Sequence, residues 1–133
     1  MAIPNYKSLE QLLHVIHSKF KCIIPIRSTR LHNTLEAQFD VEFIMQMVRN
    51  DALELGDLVE FIQFTFFLLE TLQSPADDAK IATWKQKVLA QCQGDNLNSK
   101  LKFFLTFCQQ LIQHLDKIKE DIIAFLGMCA DDV

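Results

Sequence analysis

Residues 57–73, DLVEFIQFTFFLLETLQ, decide the fold of this chain. Apolar side chains cover most of a helix drawn through this segment and leave only a thin polar stripe. A helix of this kind must be covered by neighbours, so the segment predicts the central helix of a bundle. The chain has only three glycines and three prolines in 133 residues, too few for a fold with many turns. We therefore predict an all-α fold.

The flanking segments predict four further helices. Capping signals and apolar periodicity place them at residues 8–21, 33–50, 74–92 and 97–126. Residues 22–32, with Pro25 among three isoleucines, are expected to form an extended linker. Ser74 before Pro75 predicts the start of the fourth helix, because a hydroxyl caps the free amides and proline suits the first turn. We expect this helix to be peripheral, since its apolar stripe is sparse.

The last predicted helix has the clearest periodicity. Its apolar side chains follow alternating steps of four and three, a heptad pattern: Leu97, Leu101, Phe104, Cys108, Leu111, Leu115, Ile118, Ile122 and Phe125. Gly94 should end the helix before it, and Gly127 should end this one. The prediction is a single helical domain over residues 1–133, a bundle of about five helices with a long C-terminal helix. The third and fifth helices should form its core.

Charge is unevenly distributed along the chain, whose formal net charge is −4. Residues 1–33 hold five basic residues and one acid, whereas residues 34–78 hold ten acids and one arginine. A net acidic chain lacks the cationic field that binds phosphate backbones, so we expect no nucleic-acid partner. The asymmetry favours an internal pairing of the basic segment with the acidic one, or a solvated surface.

The amino terminus and the cysteines predict the compartment. No secretory signal and no apolar run of about 20 residues is visible, so we expect no membrane span. Cys22, Cys92, Cys108 and Cys129 lack the close spacing of a disulfide framework or zinc site. Reduced thiols and an intracellular location, cytoplasmic with the nucleus as the alternative, are the expectation.

Catalytic and cofactor signatures are not found in the sequence. No glycine-flanked nucleophilic serine and no glycine-rich phosphate loop occurs, so we expect no enzyme and no cofactor. Glu10, His14 and His17 could share one face of the first helix and contact a divalent metal, but no further ligand is identifiable. Cys108 and His114 should lie on different faces of their helix, which argues against a nucleophile pair.

The candidate partner site lies on the polar stripe of the central helix. On a helical wheel Phe67 falls between Glu60 and Gln63, and Phe64 lies at the margin of the stripe. An aromatic there is either covered by another helix or is an exposed anchor for another chain. The hypothesis is the exposed case, with Phe64, Phe67, Glu60 and Gln63 as partner-binding residues.

Two segments carry a family resemblance. The helix from Asp57 leads into QSPADDA at residues 73–79, and LDKIKEDI follows at residues 115–122. This arrangement resembles the T-complex protein eleven family, in which an apolar helix leads into a Cys-Ala-Pro-x-Arg-Asp-Glu turn and a Met-Lys-x-Asp-Met helix follows. Pro75 and Asp78 match the turn, while Asp77 stands where the family has Arg. The resemblance covers about half of the chain and implies an all-helical, non-enzymatic regulatory or scaffolding protein.

Three functional hypotheses are open from the sequence. The first is a non-catalytic protein-interaction module, a regulatory or assembly subunit that binds another protein or itself, because eleven phenylalanines exceed what a small core readily buries. The second is a bundle like the apoptosis regulators, with an amphipathic peptide bound in a groove beside the third predicted helix. The third is a small helical metal-binding protein using Glu10, His14 and His17.

Overall fold

The structure, a computed structural model, describes residues 6–72, 77–93 and 100–130, except for the side chains of residues 93, 100, 101 and 125–130. The described residues form helices and their connections, with no strand among them. The helices are α1 (Tyr6–Ile23), α2 (Thr29–Gln38), α3 (Val41–Arg49), α4 (Leu55–Leu72), α5 (Asp78–Gln93) and α6 (Lys100–Ala130). The predicted all-α bundle with a long C-terminal helix is confirmed.

The core is built around three helices. Helix α6 packs against α1 and α4, α1 also contacts α2 and α3, and α5 lies against α4. The buried side chains of α6 follow the predicted heptad pattern: Phe104, Cys108, Leu111, Leu115 and Ile118, with Phe107 beside them. Those of α1 are Leu9, Leu13, Ile16, Phe20 and Ile23. The predicted core of α4 and α6 is thus confirmed, and α1 shares it.

A chain of aromatic rings connects these helices. Phe61 of α4 lies 5.2 Å from Phe39 and 5.2 Å from Phe104, between ring centroids. Phe66, one turn further along α4, lies 4.8 Å from Trp84 of α5 and 5.9 Å from Phe107 of α6. These tilted and edge-on contacts are the geometries that aromatic pairs prefer. They explain how one small bundle buries much of its phenylalanine.

The second predicted helix, residues 33–50, is wrong in its extent, because two helices occupy this region. Phe39 and Asp40 leave helical geometry, and the Asp40 carboxylate then caps α3 by accepting from the Phe43 N–H (3.1 Å). Buried Phe39 contacts Phe61, so packing holds the chain at this break. The predicted linker was also too long: α1 continues to Ile23, and α2 begins at Thr29.

The remaining predicted helix ends have mixed outcomes. Helix α6 runs through Gly127 to Ala130, so the predicted stop at this glycine is wrong. One interior glycine costs a helix only about 1 kcal/mol, which its neighbours can offset. The predicted signals at Ser74, Pro75 and Gly94 lie outside the described residues. Among the described helices, none has the length and apolar character needed to cross a membrane.

Candidate protein-interaction groove

Helix α4 has two faces of different character. The face packed into the bundle is apolar apart from one hydroxyl: Leu58, Phe61, Ile62, Thr65, Phe66, Leu68 and Leu69. The opposite face carries Glu60, Gln63 and Phe67, with half-buried Phe64 at its margin. Phe67 is 49% exposed. The outward face of α4 therefore combines polar side chains with aromatic surface.

Helix α2 forms a wall opposite this face. A cavity of about 560 Å³ opens between the two helices, lined by Arg30, Leu31, Thr34 and Gln38 from α2 and by Glu60, Gln63, Phe64 and Phe67 from α4. The chain leaves helical geometry after Gln38, and α3 then contributes lining residues of its own. A second hollow of about 250 Å³ follows, lined by Gln38, Phe43, Ile44, Met47, Asp57, Glu60, Phe61 and Phe64.

The two hollows are neighbours, because both are lined by Gln38, Glu60 and Phe64. We call these two hollows together the aromatic groove. Along α4 it extends from Asp57 to Phe67, about 15 Å at 1.5 Å per residue. That length matches roughly three turns of a helix laid alongside α4.

The exposed phenylalanines are concentrated in the aromatic groove. Side chains are described for ten of the eleven phenylalanines, and six of these are buried. Phe64 and Phe103 are half-buried, while Phe43 and Phe67 are exposed, at 56% and 49%. Both exposed rings line the groove, one in each hollow. The two phenylalanine rings that the described core leaves exposed thus lie along one groove.

The aromatic groove carries more negative than positive charge. Asp57 and Glu60 are its carboxylates, and Arg30 is its one cation among the described lining residues. Asp57 accepts from the Glu54 N–H (3.0 Å), whereas Glu60 has no cation within ion-pair distance in the described part of the chain. The groove therefore presents an unpaired carboxylate between two aromatic hollows.

The predicted pairing of the basic N-terminal segment with the acidic segment is largely wrong for the residues described. Lys19 of α1 pairs with Asp116 of α6 instead. Within the acidic segment, Glu70 binds Lys85 (3.1 Å). His17 contacts Glu36 (3.2 Å), a contact of the predicted kind between α1 and α2. Among the described residues, no ion pair joins Asp57 or Glu60 of the groove to these N-terminal cations.

The four residues predicted from the helical wheel all line the larger hollow of the groove: Glu60, Gln63, Phe64 and Phe67. Sequence reasoning missed the opposite wall, above all Leu31, Phe43 and Arg30. Leu31 falls in the segment predicted to be a linker, and Phe43 falls in the single helix predicted over residues 33–50. Asp40 three residues before Phe43 is a helix-capping signal that could have revealed the break.

The metal-binding hypothesis gains no support from the geometry. Glu10 Oε2 accepts from Arg49 Nη2 (2.9 Å), and His17 lies against Glu36 and the Phe39 ring. His14 is exposed. Over the described ranges no three potential ligands come close enough together to hold a metal ion. Glu10 and His17 instead connect α1 to its neighbouring helices.

Cys108 and His114 occupy separate environments in α6. Burial raises the pKa of the Cys108 thiol far above its ordinary value, which keeps it protonated and unreactive. The His114 ring stacks on Trp84 (4.2 Å between centroids), and burial lowers its pKa. These residues stabilise helix packing and do not form a nucleophile pair.

The two segments that carry the family resemblance meet in the structure. Lys117 Nζ of α6 donates to both carboxylate oxygens of Asp77, at 2.9 and 3.1 Å, just before α5 begins. The same ammonium lies 3.6 Å from Asp121. The residue that stands at the arginine position of the turn thus makes a charged contact with the later helix.

Comparison with known proteins agrees with this resemblance over a longer stretch. A family model described as T-complex protein 11 matches residues 1–126, most of the chain and more than the predicted half. No curated protein and no solved structure matches the chain.

Proposed function

The chain belongs to the T-complex protein 11 family, and we propose that it is a non-catalytic helical interaction module, a regulatory or assembly subunit. Its aromatic groove would bind an amphipathic helix of another protein. The observation that carries this proposal is that both phenylalanines exposed among the described side chains lie in one groove. Isolated exposed apolar residues need no explanation, whereas a contiguous aromatic surface is typical of a binding site.

The shape of the aromatic groove supports a helical ligand. A partner helix presents apolar side chains every three or four residues along one face, and the two hollows offer two successive places for them. Phe43, Phe64 and Phe67 would contact such side chains, and Gln63 and Gln38 would contact the polar margin of the partner. Aromatic residues are favoured at interface centres because they remove a large apolar area from water with few rotamers to fix.

This mode of binding is the part of the apoptosis-regulator hypothesis that the groove supports. That hypothesis placed an amphipathic peptide beside the predicted third helix, and the aromatic groove lies beside α4, which corresponds to it. Membership of the T-complex protein 11 family replaces the assignment to apoptosis regulators. The metal-binding alternative is not proposed.

A set of designed peptides tests the proposed function. Three stapled helices of about 14 residues, long enough for the groove at 1.5 Å per residue, share one leucine stripe and carry Lys, Gln or Glu on the polar face. We call them the Lys, Gln and Glu peptides. At least one should bind in fluorescence anisotropy, and Phe67→Glu should reduce its affinity tenfold or more, as expected for an interface centre.

Two controls accompany this experiment. Ile123→Glu changes a side chain of α6 that is 57% exposed and lies outside the groove, so it should bind as the wild type does. Circular dichroism should show Phe67→Glu folded, because the ring it replaces is half in solvent. Failure of all three peptides, or equal binding by Phe67→Glu, would contradict the proposal. Sedimentation velocity of both variants tests whether a second copy occupies the groove instead.

An intracellular location, in the cytoplasm or nucleus, is part of the proposal. The thiols of Cys22, Cys92 and Cys108 are free in the structure, as expected in a reducing compartment. Thiol titration of the denatured protein purified from its native cells should find four free thiols. A disulfide recovered on non-reducing gels would contradict this assignment.

A further inference from the structure

The charge of the aromatic groove specifies its partner more narrowly. We propose that the groove selects a basic amphipathic helix, one with Lys or Arg beside its apolar stripe; this inference rests on the proposed function. Glu60 lies where the two hollows meet and has no cation within ion-pair distance in the described part of the structure. A lysine or arginine of the partner helix would pair with the Glu60 carboxylate.

The segment that contains the groove helices, α2 to α4, is acidic. Between residues 29 and 72 the sequence has eight carboxylates and two arginines. One of these arginines, Arg49, is engaged by Glu10 of α1. The other, Arg30, lines the larger hollow and is not among the lining residues of the smaller one, where Asp57 and Glu60 lie. Over the smaller hollow the field is therefore negative, and it would attract cations and repel an acidic helix.

The aromatic surface adds to this preference. The aliphatic stem of a lysine or arginine can lie across Phe64 while its charged group reaches Glu60, since the two side chains line the same hollows. A cation over an aromatic face is also attracted by the ring quadrupole. A basic partner can thus use both components of the groove at once, whereas a neutral or acidic one can use only the apolar component.

The peptide set introduced above tests this selection. The Lys peptide should bind more tightly than the Gln peptide, and the Glu peptide should bind most weakly. Raising the salt concentration should weaken the Lys peptide most, because exposed charges are screened. Glu60→Gln should weaken the Lys peptide about two- to fivefold, the size of one exposed ion pair, and should leave the Gln peptide unchanged.

A charge-reversal pair separates a local effect from a net-charge effect. Glu60→Lys and Glu120→Lys change the net charge equally, but Glu120 lies on the exposed side of α6 and does not line the groove. Glu60→Lys should reverse the order of the Lys and Glu peptides, while Glu120→Lys should keep it.

The results distinguish the two proposals. Equal binding of all three peptides, each abolished by Phe67→Glu, would overturn the basic-helix inference and leave the proposed function standing. Equal effects of Glu60→Lys and Glu120→Lys would also overturn the inference, because the field of the whole protein would then explain the selection. Absence of binding by every peptide would overturn both. If the Glu peptide bound most tightly, Arg30 would determine the charge preference of the groove. That result would overturn the basic-helix inference but not the proposed function.

Discussion

Two pairs of phenylalanines in this protein have the same spacing and opposite surroundings. Phe104 and Phe107 lie three residues apart in α6 and are 1% and 2% exposed. Phe64 and Phe67 lie three residues apart in α4, and the first is half-buried while the second is 49% exposed. Helical spacing alone therefore does not decide burial. The arrangement of neighbouring helices does, since α1, α4 and Trp84 of α5 pack against α6, whereas the outer face of α4 borders the open aromatic groove.

The largest effect is expected on the covered side of this comparison. Phe107→Ala removes a ring that contacts Phe61, Phe66 and Trp84, and leaves a cavity among three helices. The free energy of unfolding should fall by about 3–5 kcal/mol, the range for deleting a buried phenylalanine. Urea denaturation of the variant and the wild type measures it. A loss below about 1 kcal/mol would show that α4 and α5 do not cover this ring.

A smaller effect is expected at the break that forms the groove wall. Asp40→Ala removes the carboxylate that accepts from the Phe43 N–H at the start of α3. The free energy of unfolding should fall by about 1 kcal/mol, as for other helix caps. Asp40→Asn keeps an acceptor and serves as the control, with little or no loss expected. Equal losses in both variants would show that the acceptor at residue 40 does not stabilise the start of α3.

The open side of the comparison should tolerate truncation. Phe67→Ala should lower the free energy of unfolding by at most about 1 kcal/mol, because about half of the ring is already in water. Peptide binding should nevertheless fall strongly. Chemical denaturation alongside anisotropy separates the two effects. A stability loss above about 2 kcal/mol would show that the ring belongs to the core.

The smallest expected effect is a pH dependence of stability that arises from His114 of α6, on the covered side. Burial lowers the pKa of His114, Asp77 opposes this, and Lys117 and Lys80 add to it. As the pH falls, the unfolded chain therefore binds a proton at this histidine before the folded protein does. The stability that the neutral His114 contributes is complete above about pH 6.5 and decreases as the pH falls below it. His114→Gln should lose less stability than the wild type between neutral and mildly acidic pH. If the variant and the wild type lost the same stability on acidification, His114 would be as well solvated in the folded protein as in the unfolded chain.

The sequence allowed the fold to be predicted where periodicity was strong. The heptad pattern of α6 identified Phe104, Leu111 and Leu115 as core, because a long unbroken helix keeps its register with its neighbours. The break at Phe39 was missed, since buried aromatic contacts from distant α4 help to fix it. Asp40 supplies a local capping signal at this break, but the apolar stripe continues on both sides of it.

The candidate site was predictable on one wall only. The wheel position of Phe67 between two polar residues is a property of a single helix and could be obtained from the sequence. Leu31 and Phe43 join the groove through the packing of α2 and α3 beside α4, a tertiary arrangement that no local pattern encodes. The unpaired state of Glu60 also depended on tertiary structure, since Lys19 pairs with Asp116 instead of with the acidic segment.

The central claim is that the open side of α4 is where a basic helix binds, and an NMR titration tests it most directly. The Lys peptide is added to the isotope-labelled protein, and backbone amide shifts are followed residue by residue. We expect the largest changes in amide chemical shift at Gln38, Phe43, Glu60, Phe64 and Phe67, with α1 and α6 little affected. Largest changes along α1 or α6, with these five amides unmoved, would contradict it.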